Sequence, residues 1–161
     1  MFHGKIEIKG LKPFMQKFLG MQRRADNLGP AFKQATVVYH RWIVKNFNKS
    51  GTLHDNGSLH WKPLAESTLL RRRKKGKGGK ILRDSGSLRR DWDLSSSRTM
   101  GLIKSQHKYS GVHEDGAIIR SRKGKALKKS IIIPQRKIFP NDVQGQKIIT
   151  PVFFKYVFKR K

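Results

Sequence analysis

The sequence predicts an α+β fold in which two long N-terminal helices pack on a small, mainly antiparallel sheet, and the chain closes with a C-terminal helix or extended tail. Three observations predict it. Large apolar side chains recur at spacings of three and four in two stretches before residue 50, and short apolar runs come in pairs between residues 92 and 133. With 36% hydrophobic residues and nine Phe, a chain of 161 residues has material for one core, so a single domain over 1–161 is expected.

The elements follow in order. Residues 5–9 alternate Lys-Ile-Glu-Ile-Lys, the period of a half-buried strand. A first helix carries Leu11, Phe14, Met15, Phe18, Leu19, Gln22 and Ala25 on one side, with Pro13 tolerated in its first turn. A second begins at Pro30, aligns Phe32, Ala35, Tyr39, Trp42, Ile43 and Phe47, and stops at Gly51. Residues 50–60 are rich in Ser, Gly, Asn and Asp and read as a loop. A short helix with Thr68, Leu69 and Leu70 then dissolves into residues 71–80, where seven of ten residues are cationic and the other three are Gly, so a mobile loop is expected.

Asp84 or Ser85 can cap a short helix that includes Leu88 and Trp92. Trp92–Ser95 and Met100–Lys104 read as a hairpin, and Ile118–Arg120 with Ser130–Ile133 as a further strand pair around a basic loop at 120–129. Near the C-terminus Ile148, Ile149, Val152, Phe153, Tyr156 and Val157 fit a helical face. Pro151 interrupts it, which leaves either a kinked helix or one that starts near Thr150. The tryptophans Trp42, Trp61 and Trp92 are expected as core or interface anchors.

Four phrases stand in a fixed order between residues 61 and 140. They are Trp61-Lys62-Pro63-Leu64 with Thr68; Ile81-Leu82-Arg83-Asp84-Ser85-Gly86-Ser87-Leu88; Tyr109-Ser110-Gly111-Val112-His113-Glu114-Asp115-Gly116; and Ile133-Pro134-Gln135-Arg136-Lys137-Ile138-Phe139-Pro140. In order, spacing and chain length this series resembles the phage virion morphogenesis family, the tail-completion proteins of Mu-like phages.

The resemblance implies a structural, non-enzymatic protein that completes the tail or joins it to the head, acting as a ring of subunits at the head-proximal end of the tail. It implies no cofactor, and as partners further copies of itself, tail tube or terminator proteins and head connector proteins. It marks Trp61, Pro63, Leu64, Leu82, Gly86, Leu88, Tyr109, His113, Gly116, Pro134, Arg136 and Phe139 as motif or interface positions. Relatives carry a Pro-x-Arg-Pro-Phe phrase at the last of these sites. Here Lys137 stands where the second proline would fall and Pro140 follows Phe139, so a different local backbone is expected.

Charge supports such partners independently. Thirty-seven Lys and Arg against ten Asp and Glu give a formal charge of +27, which disfavours a compact isolated monomer unless polyanions or acidic neighbours neutralise it. The densest runs supply Arg71, Arg72, Arg73, Lys74, Lys75, Lys77 and Lys80, and then Arg120, Arg122, Lys123, Lys125, Lys128 and Lys129. Both are candidates for contact with DNA phosphates or an acidic protein surface. Neither interleaves aromatic residues, so base stacking is not indicated.

Other chemistries find less support. His54 and His60 flank Asp55 and Asn56, but a six-residue gap in a loop fixes no common face and no carboxylate cluster accompanies them, so no metal site is expected. His113-Glu114-Asp115 lacks a nucleophile, and packing is the expected role: Tyr109 inward, Asp115-Gly116 a turn in which Gly supplies positive φ. Gly76-Lys77-Gly78-Gly79-Lys80 lacks the spacing of a phosphate-binding loop. Without cysteine there are no disulfides or thiolate zinc sites. The opening Met1–Glu7 lacks the apolar run of a secretory signal, and no stretch approaches the roughly 20 apolar residues that span a bilayer, so synthesis in the host cytoplasm and residence in the virion are expected, with no membrane partner. The competing reading is a stand-alone basic nucleic-acid-binding protein of ribosomal or nucleoid type. A metal-dependent nuclease is a weaker third.

Overall fold

The computed structural model describes residues 11–55, 57–119 and 131–159. The expected strand at 5–9 and the basic stretch at 120–129 lie outside the described residues.

Helix α1 (Leu11–Asp26) and helix α2 (Gly29–Asn48) follow the two apolar stripes. Pro30 sits in the first turn of α2, where its missing N–H would have had no partner in any case. Ala31, Ala35, Thr36, Ile43, Asn46 and Phe47 are the buried face of α2. At its end the Gly51 amide donates to Asn46 O at 3.0 Å, and Gly51 takes φ +85°. A Cβ at that position would lie 2.3 Å from the Trp61 ring, so glycine both turns the chain and lets the indole approach.

The core is Ile43, Phe47, Trp61, Leu88 and Ile138, with Tyr39, Trp42, Ile81, Leu82, Trp92, Ile103 and Phe139 packed around it. Phe47 meets Trp61 edge-on at 5.2 Å between centroids, and Trp92 meets Phe139 in the same way at 5.5 Å, a favoured arrangement of ring quadrupoles. Of the three tryptophans expected as core or interface anchors, Trp61 is in the core and Trp42 and Trp92 are half-buried against it.

Strands β1 (Trp92–Ser96) and β2 (Gly101–Ser105) form the expected hairpin, with Leu94 opposite Ile103, and lie against α2. Strands β3 (Ala117–Ile119) and β4 (Ile131–Ile133) pair separately, Ile118 opposite Ile132. The antiparallel pairing is as read from the sequence, but the four strands make two sheets of two strands each. Strands β1 and β2 lie against α2 with Trp92 and Ile103 half-buried, whereas β3 and β4 have their substantial contacts with each other.

The last helix, numbered α6 because three short helices precede it, runs from Asp142 to Val157, straight through Pro151. Its start is set by Asn141, whose side chain accepts from the Gln144 amide at 2.8 Å, so the alternative start near Thr150 is not used. Ile148, Ile149, Val152, Phe153, Tyr156 and Val157 are its half-buried face, while Pro151 is exposed. It lies along α2, where Phe153 meets Phe32 edge-on at 5.0 Å. Its end touches α1, through Arg24 Nε donating to Val157 O at 2.8 Å and Tyr156 OH donating to Asn27 O at 2.9 Å.

The short helices correct two expectations. Helix α3 (Glu66–Lys74) continues through Arg71, Arg72, Arg73 and Lys74, four residues expected to be a mobile loop. Arg and Lys are good helix formers, and cations in a last turn oppose the negative end of the helix dipole. The remainder is tied down as well: Arg72 donates to Lys80 O at 2.7 Å, and both Arg72 (3.5 Å) and Lys77 (3.0 Å) pair with Asp84. Helix α4 (Ser87–Arg90) follows Gly86 and stops before Trp92, which belongs to β1. Neither Asp84 nor Ser85 caps α4: the N-cap is Gly86, at φ +82°, which supplies no side chain, and Ser85 Oγ only accepts from the Ser87 amide at 3.3 Å just before the helix.

Candidate functional site

The four phrases, far apart in sequence, meet on the extended segment from Pro134 to Pro140. Arg136 is 6% exposed; it donates from Nε (3.2 Å) and Nη2 (3.1 Å) to Lys62 O, and from Nη2 to Pro63 O at 3.4 Å. Burial, with Arg72 nearby, lowers its pKa from the usual guanidinium value, so this cation is held without a carboxylate beside it. Lys137 O accepts from Trp61 Nε1 at 2.7 Å and lies 2.9 Å from His54 Nε2. His54 Nε2 also lies 3.2 Å from Asn46 Nδ2, and the Asn46 amide is within reach of Lys137 O (3.3 Å) and Ile138 O (3.4 Å).

On the other side stands helix α5 (Ser110–Asp115). His113 O accepts from the Arg136 amide at 2.7 Å, and Glu114 Oε2 accepts from the amides of Ile138 (2.6 Å) and Phe139 (3.4 Å). Lys137 Nζ closes the ring of contacts at 3.5 Å from Glu114 and 3.8 Å from Asp115. The segment is therefore a strap whose backbone is satisfied by the first and third phrases, while Leu82 and Leu88 of the second lie with Ile138 in the core. Leu82 holds φ +54°, a left-handed backbone uncommon outside glycine, with its side chain against the core.

The motif residues divide accordingly. Trp61, Leu88 and Arg136 are buried, and Leu64, Leu82, His113, Gly116, Pro134 and Phe139 are half-buried. Pro63 is exposed, although its carbonyl takes part. Gly116 has φ +77°, the turn expected after Asp115, and a Cβ there would sit 3.1 Å from Gln135 N. Tyr109 does not pack inward; it is 50% exposed, with Lys108 Nζ 5.0 Å from its ring centre. It precedes the first turn of α5, and the inward positions of that helix go to His113 and Glu114.

Burial, then Arg136 and His107, hold the His113 pKa below the ordinary histidine value, and burial does the same for His40. Each imidazole is thus neutral in the fold at a pH where the unfolded chain already binds a proton, so stability should fall as pH drops below about 6.5 and be unaffected well above it. Thermal melts between pH 7.5 and 5 should show that loss, and His113→Gln should make the profile shallower.

Arg71, Arg73, Lys74, Lys75, Lys77 and Lys80 are exposed, whereas Arg72 is half-buried and committed to Asp84 and Lys80 O. Arg120 through Lys129 fall outside the described residues. His54 is buried and His60 exposed, and among the described residues no three His, Asp or Glu side chains gather to hold an ion. Among the described residues no helix is long and apolar enough to cross a membrane.

Sequence reading missed Asn46, Glu114 and Gln144 as structural polar groups. Gln144 donates to Leu53 O at 2.6 Å and fastens α6 to the loop after α2. The one available signal was a polar Asn46 between Ile43 and Phe47 on the apolar stripe of α2.

The model of the phage virion morphogenesis family matches residues 44–157, a span that holds all four phrases, the strap and the whole of α6. The chain belongs to the phage virion morphogenesis family. Its role is in the structure or assembly of a phage particle, and it is a virion-associated protein. Searches of curated proteins and of solved structures each found no match.

Proposed function

We propose that this chain, as one domain, completes the phage tail or joins it to the head, forming a ring of copies at the head-proximal end of the tail and acting by binding rather than by bond chemistry. The observation that carries this reading is that Trp61, Lys62, His113, Glu114 and Arg136 of the phrases brace one strap, while Arg71, Arg73, Lys74, Lys75, Lys77 and Lys80 are exposed. Such a site maintains a shape and offers no nucleophile with a base beside it. A ring of chains at +27 each would present a positive collar to DNA in the channel and to acidic faces of connector and tail proteins.

Electron microscopy and sedimentation of the purified chain at moderate salt test the ring. Closed annular oligomers are expected. A chain that stays monomeric even with isolated tails and connectors present contradicts the reading.

The cationic surface has its own test. Replacing Arg71, Arg73, Lys74 and Lys75 with Gln should flatten the log-log salt dependence of duplex DNA binding by up to roughly 3.6, at about 0.9 per phosphate released. Arg72 is left intact because it holds the segment in place. An unchanged slope measured by fluorescence anisotropy would show that these four cations face a protein or solvent instead.

A further inference from the structure

Every residue from Lys12 to Leu19, the first half of α1 apart from Leu11, is exposed, and among them are Phe14 (64%), Met15 (48%), Phe18 (57%) and Leu19 (45%). Only from Gly20 onward does α1 settle on the body, around Arg24 and the end of α6. A helix of this length is marginal in water by itself, and four large apolar side chains at spacings of one, three and four make a face that calls for a cover.

A second uncovered surface lies on the outer side of α6. Val143 (62%), Phe154 (62%) and Phe158 (47%) are exposed along it, and the first two, with Thr150, Pro151 and the flanking Gln146, Lys147 and Lys155, line a shallow groove of about 760 Å³. The two surfaces differ in shape, one a ridge and the other a groove, and neither is covered by the described residues.

We propose that the apolar face of α1 in one copy of this chain docks in the α6 groove of the next, a head-to-tail contact. This rests on the ring reading above and supplies its interface, because closed rings larger than dimers need two distinct complementary surfaces on each subunit. Area favours a second copy as the occupant. Side chains of this size left about half exposed contribute on the order of 100 Å² each, so four from the ridge and four from the groove and the α6 surface beside it (Val143, Pro151, Phe154, and Phe158 next to them) bring together about 800 Å² of apolar surface. A standard interface of about 1,600 Å² is about 57% apolar, or roughly 900 Å², and the pair of surfaces matches it without further apolar area.

The chain contains no cysteine, so introduced thiols report directly. Phe18→Cys and Phe154→Cys, both at exposed positions, are prepared separately, mixed and oxidised at a concentration where rings form. The mixture should give a disulfide-linked band at twice the monomer mass, each variant alone should give little, and the double variant F18C/F154C should give a ladder. Homodimers of F18C alone would show α1 packing on α1 and overturn the proposal. Rings without any mixed disulfide would overturn it while leaving the ring standing, and that result includes a cover of α1 by another protein. Vesicles of anionic lipid that capture the chain through α1, abolished by Phe18→Glu, with no mixed disulfide, would likewise overturn it. A monomer under all conditions would remove both the contact and the ring.

Discussion

Gly51→Ala should destabilise the protein by about 2–5 kcal/mol, a large part of the roughly 5–15 kcal/mol that holds a domain folded. Two costs combine. Alanine at φ +85° costs about 1–2 kcal/mol, and its Cβ would meet three atoms of the Trp61 ring at 2.3–2.8 Å, an overpacking that costs about 1–3 kcal/mol more as the indole is displaced. Displacement also lengthens the 2.7 Å bond from Trp61 Nε1 to Lys137 O, so the strap loosens with the core. The melting temperature should fall by on the order of 10 °C. Gly78→Ala, where no atom lies within 4 Å, should change little and serves as the control.

Replacing Glu114 separates its charge from its hydrogen-bonding geometry. Glu114→Ala removes the acceptor for the amides of Ile138 and Phe139 and the partner of Lys137. Ile138 is fully buried, so its amide cannot turn to water in compensation, and the loss should be about 3 kcal/mol. Glu114→Gln keeps an acceptor oxygen at the same reach and gives up only the charge, for about 1 kcal/mol. Urea unfolding of the two variants should rank them in that order, and equal midpoints would mean that the carboxylate does not hold the strap.

What was legible in the sequence was what depends on near neighbours. Spacings of three and four exposed α1, α2 and the inner face of α6, and paired apolar runs exposed both strand pairs. Composition failed at Arg71–Lys74, since a run without apolar residues cannot build a core but can still continue a helix already begun at Glu66. The strap was recognised as a motif without its role being visible. Trp61 and Lys137 are 76 residues apart, Asn46 and Ile138 are 92 apart, and no local pattern says that they touch. Tyr109 shows the same limit, because an aromatic residue in a motif faces outward or inward according to where its helix begins. The motif order thus revealed the family, and the fold revealed that these residues brace a shape.

The proposed role is to join or complete the tail at its head-proximal end. Electron microscopy of particles made by a phage whose copy of this gene is silenced tests it most directly. The account predicts filled heads and separate tails of finished length that do not join, with joining restored when the protein is supplied. Joined, infectious particles made in the absence of the protein would contradict it.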